Sequence, residues 1–346
     1  MSGFAHLAGK KVLVTGGTGF VGRHLLPRLV EAGAQVTCLV RASSRLDGLS
    51  VPTVTADLDS GQGLREALAG QDVLIHMAAL LFGLGWQDYL RANACAAFRL
   101  AEALRGMAAE GRQLPSRVVL VSSLAAAGPS SQSALSAPAA MPAPVSAYGW
   151  SKLMVEQILG QALGDRLVIV RPPIIYGSGD RGLLPVFRGA ARGFAVSPGL
   201  FREFPVSVAH VRDVAQAVML CAGPAASGIY YCSDGQPHDM AGFCRAMGAA
   251  LGRRVRIVRL PLWLMAATAA LASCAGTLWA KALRLVTGRS PRRVPNWNLD
   301  KYREARQIAW LCDDARIRRE LGYQPEMDLA GGMAEAVEGY RREGLI

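Results

Sequence analysis

The chain is short of acidic charge. Across its 346 residues, 26 Asp and Glu face 38 Lys and Arg, a formal balance of +12. No Cys-x-x-Cys occurs among the seven cysteines (38, 95, 221, 232, 244, 274 and 312), so neither a zinc knuckle nor a disulfide framework is expected and no metal site is assigned. No basic run interleaved with aromatics marks a nucleic-acid surface, so nucleic acid is not an expected partner. No internal repeat is found, and the first apolar strand pattern starts at Lys11, which leaves no room for a signal peptide. A cytoplasmic location is the expectation, with the surplus of positive charge free to meet an anionic membrane surface or an anionic substrate.

What is present is a large apolar fraction, 51% of residues, enough for a sizeable core. Lys11–Thr15 reads as a buried strand, His24–Ala32 as a helix ended by Gly33, and Gln35–Val40 as a second strand. Further strands are expected at Asp72–His76, Arg117–Val121 and Leu167–Val170, with helical spacing over Arg91–Met107. Strands alternating with helices predict an α/β fold, a doubly wound parallel sheet of Rossmann type with a smaller C-terminal lobe. The expected division is residues 1–176 for the nucleotide domain, with 211–234 returning to it, and 177–210 plus 235–346 for the substrate lobe.

Two motifs carry chemistry. In V-L-V-T-G-G-T-G-F-V-G (12–22), Gly16, Gly19 and Gly22 follow a strand and open a helix. That is where a dinucleotide's pyrophosphate meets unpaired N–H groups and the positive end of a helix dipole. At the end of the second strand, Val40 is followed by Arg41 rather than by an acid, and Ser43, Ser44 and Arg45 come next. Arg41 suits the 2′-phosphate of NADP(H), with NAD(H) as the alternative. In Y-G-W-S-K (148–152), Tyr148 and Lys152 lie one helical turn apart. The expectation is that the ammonium lowers the phenol's pKa, so that Tyr148 exchanges a proton with a substrate oxygen near neutral pH. Ser123, at the carboxyl end of a central strand, is the expected hydrogen-bond donor to that oxygen, with Ser122 as its rival.

The chain resembles the extended short-chain dehydrogenases/reductases of the epimerase/dehydratase superfamily. The resemblance runs through T-G-G-T-G-F-V-G (15–22), Asp57-Leu58, H-M-A-A (76–79), Asn93, V-S-S (121–123), Y-G-W-S-K, R-P-P-I-I-Y-G (171–177), H-V-R-D-V-A (210–215) and L-G-Y-Q-P (321–325). It implies a Ser123–Tyr148–Lys152 triad, with Asn93 as a structural or proton-relay partner. It implies a cofactor held by Thr18, Phe20 and Val21 beside the three glycines, by Asp57 and Leu58 at the adenine, by Ala78 and Ala79, and by Pro173, Ile174 and Ile175 at the nicotinamide. Arg41 is similar to the arginine that dihydroflavonol-reductase-like members use for NADPH.

Two departures bear on substrate. The Ala/Ser/Pro-rich stretch 125–146 reads as a long loop over the site and lacks an acidic cluster, and Leu124-Ala125 follow Ser123 where dehydratases of the family carry an Asp-Glu pair. Leu260–Ala280 is a run without formal charge, with Trp263 and Trp279 near its ends. Arg253, Arg254, Arg256 and Arg259 precede it, and Lys281, Arg284 and Arg289 follow. It reads as a buried helix of the lobe, an interfacial helix or a span. Such a segment resembles the 3β-hydroxysteroid dehydrogenase branch, whose substrates are lipophilic.

The leading expectation is therefore an NADPH-dependent ketone/alcohol oxidoreductase on a sterol-like or long-chain 3-oxo substrate. The alternatives are a nucleotide-sugar epimerase that retains NAD and a non-catalytic nucleotide-binding scaffold. A homodimer and contact with a membrane surface through 260–280 complete the partner expectations. His76, His210 and Asp213 read as structural, Cys38 and Cys95 as core, and Arg181, Arg188 and Arg192 as either a clamp for an anionic head group or a solvated face.

Overall fold

The computed structural model describes residues 3–44, 50–131, 135, 140–287 and 294–346. Arg45 and Arg289 therefore lie outside the described residues, as does part of the 125–146 stretch. Strands in chain order are β1 (Lys11–Thr15), β2 (Gln35–Val40), β3 (Thr53–Thr55), β4 (Val73–His76), β5 (Arg117–Val121), β6 (Leu167–Arg171), β7 (Ile174–Tyr176), β8 (Phe194–Pro198), β9 (Pro205–Val206), β10 (Val208–His210), β11 (Gly228–Tyr231), β12 (His238–Asp239) and β13 (Arg256–Leu260). Helices are α1 (Phe20–Glu31), α2 (Leu64–Leu68), α3 (Trp86–Tyr89), α4 (Ala96–Ala109), α5 (Leu124–Ala127), α6 (Ala147–Leu163), α7 (Leu184–Ala191), α8 (Val211–Cys221), α9 (Met240–Ala250), α10 (Leu262–Thr287), α11 (Leu299–Ala305), α12 (Ala315–Leu321) and α13 (Leu329–Arg342).

The main sheet has seven strands in the order β11-β6-β5-β4-β1-β2-β3, all parallel. Its strands are apolar on both faces because helices cover both. Val12, Val14, Ile75, Val119 and Val168 point into one core with α1 and α8. Leu13, Leu74, Val118, Leu120 and Ile169 point into the other with α4 and α6. The strand order reverses between β1 and β4, so their carboxyl ends flank a crevice. The glycine turn leaves β1 there and His76–Ala79 leaves β4.

Three short two-stranded pairings, β7–β10, β9–β12 and β8–β13, build the lobe side, with Tyr176, Phe187, Phe243 and Tyr340 in a third core. The expected helix over Arg91–Met107 is broken at its start by a π-helical stretch, Leu90–Cys95, before α4. Cys38 is buried, but Cys95 is exposed, which corrects its expected place in the core.

The apolar run forms α10, which begins at Leu262, since Leu260 ends β13. It is 26 residues long, long and apolar enough to cross a membrane; its most apolar window has mean hydropathy 1.4, and only 17% of that window is buried. At 1.5 Å per residue it measures about 39 Å. Met265, Ala269, Gly276 and Ala280 seat it on the protein. The opposite face carries Leu271 (71% exposed), Leu278 (67%) and Leu285 (87%) at seven-residue spacing, with Trp263 (71%) and Trp279 (51%) beside them. The expectation of a buried lobe helix is thus corrected. A narrow stripe of this helix packs on the protein, and the opposite face is largely apolar and bare.

Candidate active site

The turn after β1 is shaped around close approach. Gly16 has φ +76, and a Cβ there would lie 2.7 Å from the backbone nitrogen of Ala78. A Cβ on Gly22 would stand 2.5 Å from the Gly17 backbone. Both positions therefore admit only glycine while α1 stays packed on the turn. Gly19 caps α1 in an extended conformation and no side chain bonds the helix's first N–H groups. That leaves the N-terminal turn of Phe20, Val21 and Gly22 as an anion-binding end. Thr15 ties the two sides of the crevice, its hydroxyl 2.8 Å from His76 Nδ1 and accepting from the N–H of Met77 and Ala78 at 3.2 Å. His76 is buried, and burial lowers its pKa to about 3, with the Lys152 charge acting the same way.

At the far wall, Arg41 is exposed just beyond β2, its backbone N–H bonded to Ser44 Oγ at 3.0 Å. Asp57 and Leu58 are half-buried beyond β3, and Asp57 Oδ1 accepts from the Asp59 N–H at 2.8 Å. Ala78 and Ala79 are half-buried at the crevice. Pro173 precedes β7, whose Ile174 and Ile175 are half-buried and pair with Val208 and Ala209. These positions line one continuous side of the sheet's carboxyl edge, and the open α1 terminus fits a dinucleotide's diphosphate.

The proton-handling groups meet at the end of β5. Ser123 Oγ accepts from the Ala125 N–H at 3.1 Å, capping α5, and the same hydroxyl interacts with the Tyr148 phenol. Ser122, the rival, is turned away: its hydroxyl donates to Glu156, which also pairs with Arg171 at 2.6 Å in the interior. Lys152 is 3% exposed and its Nζ donates to the Val121 carbonyl at 2.8 Å. Burial pulls the Lys152 pKa down to about 8, against the pull of Glu156. Asn93 is buried on the π-helical stretch. Its Oδ1 accepts from the Leu80 N–H at 2.7 Å and its Nδ2 donates to Ser151 Oγ at 2.9 Å. It thereby braces the loop after β4 against α6, one residue from Lys152.

The expected lowering of the Tyr148 pKa is not found. Burial raises it, the Lys301 charge and the Ser123 hydroxyl oppose that rise, and Glu304 adds to it. Lys152, spent on the Val121 carbonyl, is not the cation that faces the ring.

That cation comes from α11, which the sequence reading did not single out. Asp300 accepts from the backbone N–H of Ala147 at 2.6 Å and of Tyr148 at 3.2 Å. Ser146 caps the same helix by accepting from Gly149 at 2.9 Å and donates to Glu304 at 2.7 Å. Lys301 Nζ lies 4.7 Å from the Tyr148 ring centroid and 2.9 Å from Glu304 Oε2. The only local signal was Asn298, a helix cap two residues before Asp300; nothing in the chain pointed across the 152 residues that separate Tyr148 from Asp300.

The other candidates have internal partners. His210 is buried against Glu335 at 3.1 Å, and Asp213 accepts from the Glu326 N–H at 2.7 Å. Arg181, exposed, pairs with Glu343 at 2.9 Å, and Arg188, also exposed, donates to the Leu345 carbonyl at 3.2 Å. Among the described residues no cluster of His, Cys, Asp or Glu could hold a metal ion. A cleft of about 740 Å³ opens beside α10, lined by Leu84, Trp86, Val145, Trp150, Ser273 and Leu299 among others.

Residues 12–229 match the model of the NAD dependent epimerase/dehydratase family. The chain is 31% identical over 341 residues to a ceramide reductase of Caulobacter vibrioides, covering 97% of this chain and 96% of that protein. It is 30% identical to the 4-hydroxy-2-methyl-3-oxo-4-farnesyl-3,4-dihydroquinoline-1-oxide ketoreductase of Stigmatella aurantiaca, covering 90% and 91%. The fold matches the UDP-glucose 4-epimerase of Thermus thermophilus, solved with NAD, at TM-score 0.72 and 20% identity over 96% of this chain and 99% of that one.

Proposed function

The chain belongs to the NAD-dependent epimerase/dehydratase family and is an oxidoreductase, and from that premise we propose that it uses NADPH to interconvert a ketone and a secondary alcohol on a lipophilic, sterol-like or long-chain 3-oxo substrate. The observation that carries the reading is the meeting of Ser123 with Tyr148 at the end of β5, across the crevice from the open α1 terminus. When bound, the dinucleotide supplies or accepts the hydride. The chain's own part is protonic. The Tyr148 hydroxyl gives its proton to the carbonyl oxygen as that oxygen becomes an alcohol, or takes it back in reverse. The Ser123 hydroxyl donates a hydrogen bond to the same oxygen and steadies its developing charge. Arg41, exposed at the end of β2, supports NADPH because a guanidinium forks onto a phosphate.

Three features support a lipid-phase substrate. The relatives named above act, by their names, on a ceramide and on a farnesylated ketone. The outward leucines and tryptophans of α10 form an apolar face of the kind that dips into the boundary of a bilayer. Exposed Arg253, Arg254, Arg256 and Arg259 sit just ahead of it and suit anionic head groups. The hold of Met265, Ala269, Gly276 and Ala280 on the protein supports a helix lying along a membrane surface over one spanning it. A nucleotide-sugar epimerase has no use for such a face. Dehydration is further disfavoured because buried Leu124 and Ala125 stand after Ser123, where an acid pair would be needed.

The test is oxidation of NADPH and NADH against sterol, 3-oxoacyl and sugar-nucleotide panels. NADPH-dependent reduction confined to the lipophilic panels is expected. Tyr148→Phe should lose about 10³-fold in turnover with NADPH affinity kept. Turnover on sugar nucleotides alone removes the reading. In sedimentation with vesicles, phosphatidylglycerol should retain the wild type and release a variant with Ser at 271, 278 and 285; equal retention of both removes the membrane part.

A further inference from the structure

The Tyr148 ring has a cation on its face that belongs to the far end of the chain. Lys301 Nζ is 4.7 Å from the ring centroid and 5.7 Å from that of Phe82, within the roughly 6 Å at which a cation is drawn to an aromatic face. About a fifth of its side chain is exposed, and Glu304 Oε2 holds the ammonium at 2.9 Å. We propose that Lys301 is a further positioning residue of the proton transfer, adding from α11 a positive charge on the face of the Tyr148 ring. The inference rests on the reading of Tyr148 as the proton donor and acceptor.

Among the groups around the phenol, Lys301 is the cation that lies over the ring face. Ser123 comes from the end of β5 and is neutral. Tyr89, from α3, stacks at 5.9 Å and is itself pushed up to about 12 by burial. Lys152, on the same helix as Tyr148, donates to the Val121 carbonyl, and burial pulls its pKa down to about 8. Asp300 and Glu304, both from α11, are negative, and Glu304 disfavours the phenolate. Burial opposes the Lys301 charge too, but Glu304 beside it, helped by the two tyrosines, raises its pKa above the ordinary lysine range. Lys301 therefore stays cationic across the working pH range. Asp300 binds the backbone of Ala147 and Tyr148 from the same turn of α11, so the cation and the ring are held in one register.

The test reads the phenol directly and needs no substrate. In protein labelled with ¹³Cζ-tyrosine, the Tyr148 signal is assigned by its loss in Tyr148→Phe and titrated upward from pH 7 to the alkaline limit at which far-UV ellipticity shows the protein still folded, a midpoint beyond that limit being read from the onset of the shift. Lys301→Met should raise the midpoint by about one unit, as removal of a neighbouring charge does. Lys301→Arg should keep it near the wild-type value, and NADPH affinity should be unchanged in both. With a ketone–alcohol pair from the panel, Lys301→Met should slow alcohol oxidation at neutral pH about 10-fold while ketone reduction persists to higher pH, because the same shift starves the base and preserves the acid. A role confined to folding would slow both directions together. If Lys301→Met does not fold, Lys301→Gln carries the same titration. An unmoved midpoint in the folded variant overturns the proposal and leaves the assignment of Tyr148 standing; a titration that moves while the Tyr148→Phe variant turns over normally overturns that assignment instead.

Discussion

The two helices that meet at the site begin in opposite ways. Helix α1 starts at Gly19, with no side chain on its first N–H groups. Helix α6 starts with its first three N–H groups all taken, two by the Asp300 carboxylate and one by Ser146. Each terminus carries the same partial positive charge. In α1 that charge is kept for a ligand's phosphates. In α6 it is quenched by the protein's own acid, which arrives from the lobe and brings Lys301 with it. A free terminus marks where something binds. A sealed one marks where a side chain, Tyr148, has to be held still.

The sharpest way to break this contrast is to seal α1 as α6 is sealed. Gly19 already has the extended backbone of an N-cap, with φ −79 and ψ −179, and a Cβ there would meet the Gly16 carbonyl oxygen at 3.1 Å, so Gly19→Asp asks the turn to give by a few tenths of an ångström, a cost the new cap offsets. Its carboxylate should occupy the first-turn N–H groups and repel a diphosphate. A loss of dinucleotide affinity of about 100-fold or more is expected, as two unfavourable charge-assisted contacts imply, with the melting temperature unchanged or raised. Calorimetric titration beside a thermal melt checks both, and retained affinity would show that phosphates do not use this terminus.

The converse change opens α6. Asp300→Ala removes both carboxylate contacts and should cost about 1–2 kcal/mol in stability, the range of a lost helix cap. Turnover should fall by about 10-fold or more, since a small misplacement of the reacting group is expensive, while NADPH affinity stays within about twofold. A parallel loss of affinity would mean that the two termini are not independent.

The smallest effect is at the rim of the open side. Arg41→Ala should raise the KM for NADPH by about 10-fold and leave that for NADH alone, as removal of one phosphate fork does. Equal loss with both cofactors would place Arg41 in general folding.

The sheet and the cofactor side were legible because their signals are local. A strand, a glycine turn and a helix start follow one another within residues 12–22, and Tyr148 and Lys152 share a helix turn. Burial was less legible. The phenol's pKa was expected to fall, but burial raises it, a balance set by how α6 lies on β5. Asp300, Lys301 and Glu304 were missed because their partners are 152 to 158 residues away and their own helix has only seven residues. Cys95 and α10 were misplaced for a related reason. Apolar composition says that a segment avoids water, and packing alone decides whether protein or another phase shields it.

One feature has practical weight at the bench. A ridge of leucines spaced every seven residues on α10, left bare in plain buffer, will adhere to whatever greasy surface is nearest, including another copy of itself. Yield, apparent size and specific activity should accordingly depend on how much detergent or lipid is supplied, and an assay run without either would record the clumping of the enzyme before its chemistry.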